Sequence, residues 1–380
     1  MEPFEREHPE VEGSPRELMV KEFKRSSADY LLAVPHRIRT PATLLRTIKV
    51  HLTATLTCAP PNPSPQYIED NIMEKNKQGV DPRFGGVPTS IAVYLFIWDR
   101  YRMIAKDFIL QELALPVDTV YVECHERMAR WFILMDHTMQ RDDKFNDGHL
   151  QQNRESTNKL FKTLLECYKD AKLAHVPMPN KAEFIAYYLL EQMGNGGEVA
   201  KLMRQLSFDV RSSEKIRFVA EVWAAWKMRD TSRFFRLLRK ADACQASLMH
   251  RYVGEVRVEG IRRMVRTHSA KGSGSHCPVR HLVELFMFED TDDALAFAAH
   301  CGIAVESAMW RGFDGDSSSD AEELCAVFAD QKVQELLPKD KNGSSIQPRA
   351  AHMLKGIDSK YAHLSLGAVC RGAFNSPPDT

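Results

Sequence analysis

The chain has 380 residues, 44% of them hydrophobic and 27% charged, with 19 glycines and 19 prolines. Those values exclude collagen-like, Pro/Gly-rich disordered and heavily charged unfolded classes. Lys+Arg and Asp+Glu are both 51, so any attraction to nucleic acid has to come from local clustering rather than from overall charge.

Residues 1–16 combine many charges with Pro3, Pro9 and Pro15 and read as a loosely ordered lead-in. The stretch is acidic and lacks an apolar core, so no secretory signal is expected. The longest apolar run, Ile91 to Trp98, falls far short of the ~20 residues that cross a bilayer, and no membrane partner is expected. Residues 17–256 read as a helical solenoid interrupted by a surface loop over 59–88, where Pro60, Pro61, Pro63 and Pro65 stop a helix by lacking the amide donor.

From Thr89 the apolar positions Tyr94, Ile97, Trp98, Tyr101, Ile104 and Phe108 fall on one face of a helix. Further amphipathic runs are predicted over 117–139, 152–173, 181–193, 198–206, 213–228 and 231–253, joined by short breakers such as Pro177-Met178-Pro179 and Gly194-Asn195-Gly196-Gly197. Through residue 265 no strand is predicted. Helices of this length with short turns imply stacked antiparallel pairs, each covering its neighbour's apolar face.

The pattern changes after His268. A flexible connector over 270–275 leads to helices predicted at 279–288 and 292–300, then to strand-like stretches at 303–305 and 362–370. With a helix over 258–267 counted first, residues 257–372 have a winged-helix outline, and 373–380 form a tail. Residues 312–323 hold five acidic side chains (Asp314, Asp316, Asp320, Glu322 and Glu323) and no basic one, an expected solvated insertion between wing strands. The fold class expected is therefore all-α, a helical solenoid followed by a C-terminal winged helix with a small β-wing.

Eight dispersed cysteines without a C-x-x-C spacing fit reduced thiols in a cytosolic or nuclear protein and offer no zinc or redox motif. G-x-x-x-x-G-K-[ST], H-E-x-x-H and G-x-S-x-G are all missing. Asp314-Gly315-Asp316 begins like a calcium loop, but Ser319 stands where that loop needs glycine. Cys124-His125 and His276-Cys277 are adjacent pairs that do not suit a shared zinc. No enzyme, cofactor or metal site is expected.

Two basic clusters stand out. Lys227, Arg229, Arg233, Arg236, Arg239 and Lys240 face a single acid, Asp230; Arg257, Arg262, Arg263, Arg266, Lys271 and Arg280 face Glu259. Either could be the solvated side of a helix. The second adjoins the winged-helix outline, where basic side chains commonly meet phosphate. The nucleic-acid candidates are Arg262, Arg263, Arg266, Lys271, Arg280, Lys355 and Lys360. The partner-contact candidates are Phe286, Phe288, Phe297 and Trp310, whose alternative reading is as core.

Several stretches, in order, resemble one family. Val20 to Asp29 (VKEFKRSSAD) is similar to its V-K-E-Y-x-R-S-x-A signature, and Arg37 to Pro41 (RIRTP) to its R-P element. Phe96 to Asp107 (FIWDRYRMIAKD) is similar to its F-x-W-[DN]-R-x-R-x-I-R-x-D helix. Arg233-Phe234-Phe235-Arg236-Leu237 and Leu285 to Asp290 match two further segments, and Lys360 stands where a wing-strand lysine is expected. The family is the SAC/GANP group, named for a suppressor of actin and for germinal-centre-associated nuclear protein. The resemblance spans residues 17–372 and implies a solenoid of TPR or PCI type capped by a winged helix. It also implies a non-enzymatic scaffold of the nuclear transcription-coupled mRNA-export complex. Its winged helix would pair with that of a PCI-domain protein carrying a small acidic subunit, and the joined pair would present a basic surface to RNA. The Cys-x-x-Met-Cys-Pro element that often precedes the signature is absent, and the 380 residues leave no room for Phe-Gly repeats or pore-anchoring segments. Short members imply the alternatives of a centrosome or spindle adaptor, or a subunit of a sister transcription-elongation complex.

Overall fold

The computed structural model describes residues 23, 38–45, 48, 89–111, 118–268, 275–310, 321–328, 357, 369, 370 and 372. The expected lead-in over 1–16, the loop over 59–88, most of the acidic insertion, most of the stretch over 362–370 and the tail over 373–380 lie outside these residues. The class is the expected one, mainly α with a small β-wing. The chain divides into two compact units, Met1–Glu191 with Tyr361–Thr380, and Gln192–Lys360. That division does not follow the boundary expected between 256 and 257, because one unbroken helix runs through it.

The first unit contains α1 (Thr89–Leu110), α2 (Thr119–Thr138), α3 (Asp143–Gly148), α4 (Leu150–Leu173) and α5 (Lys181–Glu191). Asp118 starts α2 by accepting from the amides of Val120 and Tyr121, and Asp142 starts α3 in the same way with Lys144 and Phe145. Helices α2 and α4 are antiparallel. Asn153, near the start of α4, donates to the Phe132 carbonyl late in α2, while Tyr168, near its end, donates to Glu126. Tyr94 stacks on Trp131 with ring centroids 5.4 Å apart, and Tyr101 meets the same indole edge-on at 5.2 Å.

The signature stretches of the sequence meet here. The Phe23 amide donates to Asp99, the Arg102 guanidinium lies 3.7 Å from the Phe23 ring centre and 4.5 Å from that of Trp98, and Arg39 pairs with buried Asp107 at 2.7 Å. Gln111 secures the Arg39 carbonyl. Motifs distant in sequence thus form a clamp along α1. At the far end of the chain, Arg130 forms a bidentate pair with Glu183 (2.7 and 2.9 Å) and also donates to the Cys370 carbonyl. Val369 and Cys370 are helical and fully buried, which corrects the strand expected up to Cys370: the Gly372 amide closes a turn on Val369. Ile357, expected beside the wing-strand lysine, is likewise helical and buried.

The second unit contains α6 (Gly196–Gln205), α7 (Phe208–Arg211), α8 (Glu214–Lys227), α9 (Thr231–Lys240), α10 (Ala243–His268), β1 (Ser275–Pro278), α11 (Val279–Phe286), α12 (Thr291–His300), β2 (Ala304–Trp310) and β3 (Ala321–Phe328). The single helix predicted over 231–253 is two helices. Asp242 and Gln245 exchange side-chain and amide hydrogen bonds in a reciprocal cap that ends α9 and starts α10. The helix predicted over 258–267 is the last part of α10, which at 26 residues is the longest described.

Gly260 lets α11 approach closely; a Cβ there would stand 2.4 Å from the Phe286 ring. Asp290 caps α12, and Gly302, at φ 67°, releases the chain from α12 into β2. The sheet order is β1-β3-β2, antiparallel throughout, with Ser275 opposite Phe328 on one side of β3 and Ala304 opposite Val327 on the other. Two of its strands were not foreseen. β1 starts at the last residue of the expected connector and runs up to the next helix, and β3 takes Ala321, Glu322 and Glu323 from the expected acidic insertion. Cys325, Ala326 and Phe328 of β3 are fully buried.

Candidate nucleic-acid interface

The Phe234-Phe235 and Leu237-Leu238 pairs of α9 are buried, while Arg236, Arg239 and Lys240 are exposed on its other side. Helix α8 ends in a Schellman turn: the Arg229 amide bonds to the Trp226 carbonyl and the Asp230 amide to that of Ala225. Arg229 holds the left-handed position at φ 55°, one that favours glycine because a Cβ crowds the backbone there. Asp230 then caps α9 by accepting from the Arg233 amide.

This turn carries the first basic cluster to the second. The Glu259 carboxylate of α10, whose side chain is only 12% exposed, lies 3.3 Å from Arg229, 3.7 Å from Arg262 and 3.8 Å from Arg263. Arg263 also donates to the Met228 carbonyl at 2.9 Å. Three guanidinium groups thus converge on one carboxylate, with Glu255 one turn earlier on α10. Between them lies a cleft of about 260 Å³, with Trp226, Lys227, Arg229, Thr231 and Arg262 among its lining. Trp226 is half-buried and edge-on to Tyr252. Thr231 is 8% exposed, and neither its hydroxyl nor the buried Nε of Arg262 has a hydrogen-bond partner among the described residues. Partial desolvation raises the Glu255 carboxyl at the rim, with Arg229 and Arg262 opposing.

Of the predicted nucleic-acid candidates, Arg262, Arg263 and Arg266 lie along the second half of α10; Arg263 and Arg266 are exposed and Arg262 is half-buried. Arg280 is in a separate ion-pair group on α11, 3.0 Å from Glu323 of β3. Lys271, Lys355 and Lys360 lie outside the described residues. Lys227 and Arg229 were not among the candidates. Their only signal in the sequence was membership of the first basic cluster, and the fold is what brings them to Arg262. Arg257, counted in the second cluster, is 2% exposed and serves the interior. It donates to the Phe286 and Met287 carbonyls and lies 3.8 Å from the Phe288 ring centre. Burial lowers its pKa to about 10, against the pull of Asp293 and Glu289.

The partner-contact candidates need correction for the same reason. Phe286 is 1% exposed, and Phe288 and Phe297 are 7% exposed each. They form one aromatic chain, with centroid separations of 6.2 Å and 5.2 Å, that fills the space between α10, α11 and α12. They are core. Trp310 ends β2 opposite Ala321. Cys124 and His125 are both buried in α2, and burial pushes the imidazole down to about 4 although it donates from Nδ1 to the Tyr121 carbonyl. Among the described residues no helix is long and apolar enough to cross a membrane.

The residues of the motif clamp on α1 lie within the range that a family model matches. The model of the SAC3/GANP family matches residues 1–307. The chain is 26% identical over 298 residues to Protein xmas of Drosophila melanogaster, covering 77% of this chain and 13% of that protein. It is 26% identical over 215 residues to SAC3 family protein B of Arabidopsis thaliana, covering 53% and 12%. It is 23% identical over 318 residues to SAC3 family protein 1 of Schizosaccharomyces pombe, covering 78% and 27%. The chain thus spans only a small part of each relative.

Proposed function

Since this chain belongs to the SAC3/GANP family, which is associated with nuclear mRNA export, we propose that it is a non-enzymatic scaffold of a nuclear mRNA processing and export assembly. In this reading the segment from α10 to β3 works as a winged helix and pairs with the winged helix of a PCI-domain protein that carries a small acidic subunit. The pair offers RNA a basic surface that neither holds alone. The element order supports it: a helix, a strand, two helices and two antiparallel strands, with β3 central. Trp310, at the end of β2, is the remaining candidate for the partner face.

The observation that carries the RNA part is the convergence of two basic clusters, about thirty residues apart, on Glu259. Neutralising phosphates releases counterions, so such a surface loses affinity steeply with salt. The test is filter binding of a single-stranded RNA of about 15 nucleotides to the assembled complex, titrated from about 50 to about 200 mM salt. Changing Arg262, Arg263, Arg266 and Arg280 together to Glu should abolish binding at the upper end and flatten the salt slope. Unchanged binding would show that RNA lies elsewhere.

A further inference from the structure

We infer that the cleft bounded by the end of α8, the start of α9 and the middle of α10 is a pocket for a single nucleotide of single-stranded RNA. The base would lie against Trp226 and Thr231, and its flanking phosphates on Lys227, Arg229 and Arg262. This rests on the RNA reading above and adds to it a place where one base leaves the strand.

Four observations converge on this occupant. The first is size: about 260 Å³ accepts one planar base but not a folded element. The second is the unfinished hydrogen bonding of the cleft. A buried hydroxyl and a buried guanidinium N–H without partners are costly in an empty protein, and Thr231 Oγ1 and Arg262 Nε are two such groups in one cavity. A base edge, carrying donors and acceptors in a plane, satisfies both. The third is the half-buried Trp226 beside them; every base has a π-face, and stacking on an aromatic ring is tolerant of sequence.

The fourth is the mouth. Arg229 and Lys227 are exposed there, and Arg229 occupies a left-handed backbone position that a glycine would fill with less strain. Asp230, Glu255 and Glu259 line the cleft as well. Glu259 is shared among three arginines and the Asp230 carboxylate is committed to the α9 amide end, so the cations that reach solvent at the mouth are Lys227 and Arg229. An acidic peptide could use the same cations, but it would leave Trp226 without a planar group to stack on, beside the two unpartnered polar groups of the cleft.

The test uses the full chain in its assembled complex with a single-stranded RNA of about 15 nucleotides carrying one 4-thiouridine. Irradiation of the unaltered protein should cross-link peptides spanning 226–231 or 255–262. Thr231→Val, which keeps the shape and removes the hydroxyl, should weaken binding about tenfold, the scale of one buried hydrogen bond, with the salt slope unchanged. Trp226→Phe should bind nearly as the native protein and Trp226→Leu about tenfold more weakly or worse. Cross-links confined to other peptides, with Thr231→Val and Trp226→Leu binding as native, would overturn the pocket and leave the basic-surface reading standing, provided the fourfold arginine reversal still abolishes binding. Loss of a poly-glutamate peptide rather than RNA in the cleft variants would overturn the choice of occupant. No RNA binding by the native complex would remove both readings.

Discussion

The two units bury charge in opposite ways. In the first, Asp107, Glu126, Arg130, Asp136 and Asn153 are all interior and each has a polar partner: Arg39 pairs with one oxygen of Asp107, Arg154 serves Asp136, and Tyr168 and Asn180 both donate to Glu126. In the second, the interior of α8 to α10 is mainly apolar, Arg257 is the large buried cation, and most arginines stand at the surface around Glu259 and along α9. A paired charge removed from water is a commitment to one geometry, since separating it from its partner costs far more than the pair contributes. Exposed charge is nearly free to be replaced. The buried charges of the first unit therefore serve to fix the chain on itself, and the residues proposed to meet RNA belong to the second.

The sharpest way to break this comparison is to orphan one charge in each unit. Glu183→Ala leaves the Arg130 guanidinium, 3% exposed, with the Cys370 carbonyl but without its carboxylate, and should cost roughly 3–5 kcal/mol. Arg233→Ala removes an exposed pair with Glu221 at 3.5 Å and should cost less than about 1 kcal/mol. Denaturant unfolding of the two variants reads the difference. Equal losses would mean that the buried network of the first unit is no more committed than the surface of the second.

A titration sharpens the same contrast. His125 lies fully inside the first unit, and burial lowers its pKa from 6.5 to about 4. The folded state therefore favours the neutral ring, and between those values the unfolded chain binds the extra proton. Stability is complete above the unfolded value and is lost as pH falls toward the folded one, by about 3 kcal/mol in all. Thermal unfolding from pH 7.5 to about 4.5 should fall more steeply for the native chain than for His125→Asn, which has no proton to take up. Parallel curves would show that the imidazole is solvated.

Much of the first unit was legible because its helices announce themselves. The apolar faces of α1, α2, α4 and α5 have helical spacing, whereas the short helix α3, started by Asp142, was not predicted. The break at 241–242 was not legible, since neither glycine nor proline marks it and the Asp242–Gln245 cap looks like any polar pair in a helix. β3 was hidden by its own first residues: Glu322 and Glu323 extend an acidic run, and the strand is recognisable only when Ser275 and Ala304 are brought to its two sides. The site divides similarly. Clustering picked out Arg262, Arg263 and Arg266, but nothing local separates these surface arginines from Arg257, which owes its burial to carbonyls about thirty residues away. The phenylalanines taken for a partner face were apolar for the ordinary reason that they fill a core.

The smallest effect expected is also the most discriminating, because its two readouts move in opposite directions. Arg229→Gly replaces a side chain held at φ 55° with the residue that the Schellman turn prefers. The turn's backbone hydrogen bonds remain, the crowding of Cβ is relieved, and the exposed contact with Glu259 contributes little. Folding stability should rise by about 0.5 kcal/mol, the gain from removed strain being offset in part by the greater freedom of glycine in the unfolded chain. RNA affinity should fall, and the slope of log affinity against log salt should shrink by about 0.7, the share of one phosphate on a single strand. A residue kept at a strained position for packing would lose stability on this change and leave the salt slope alone, and that outcome would return Arg229 to the structural side of the comparison.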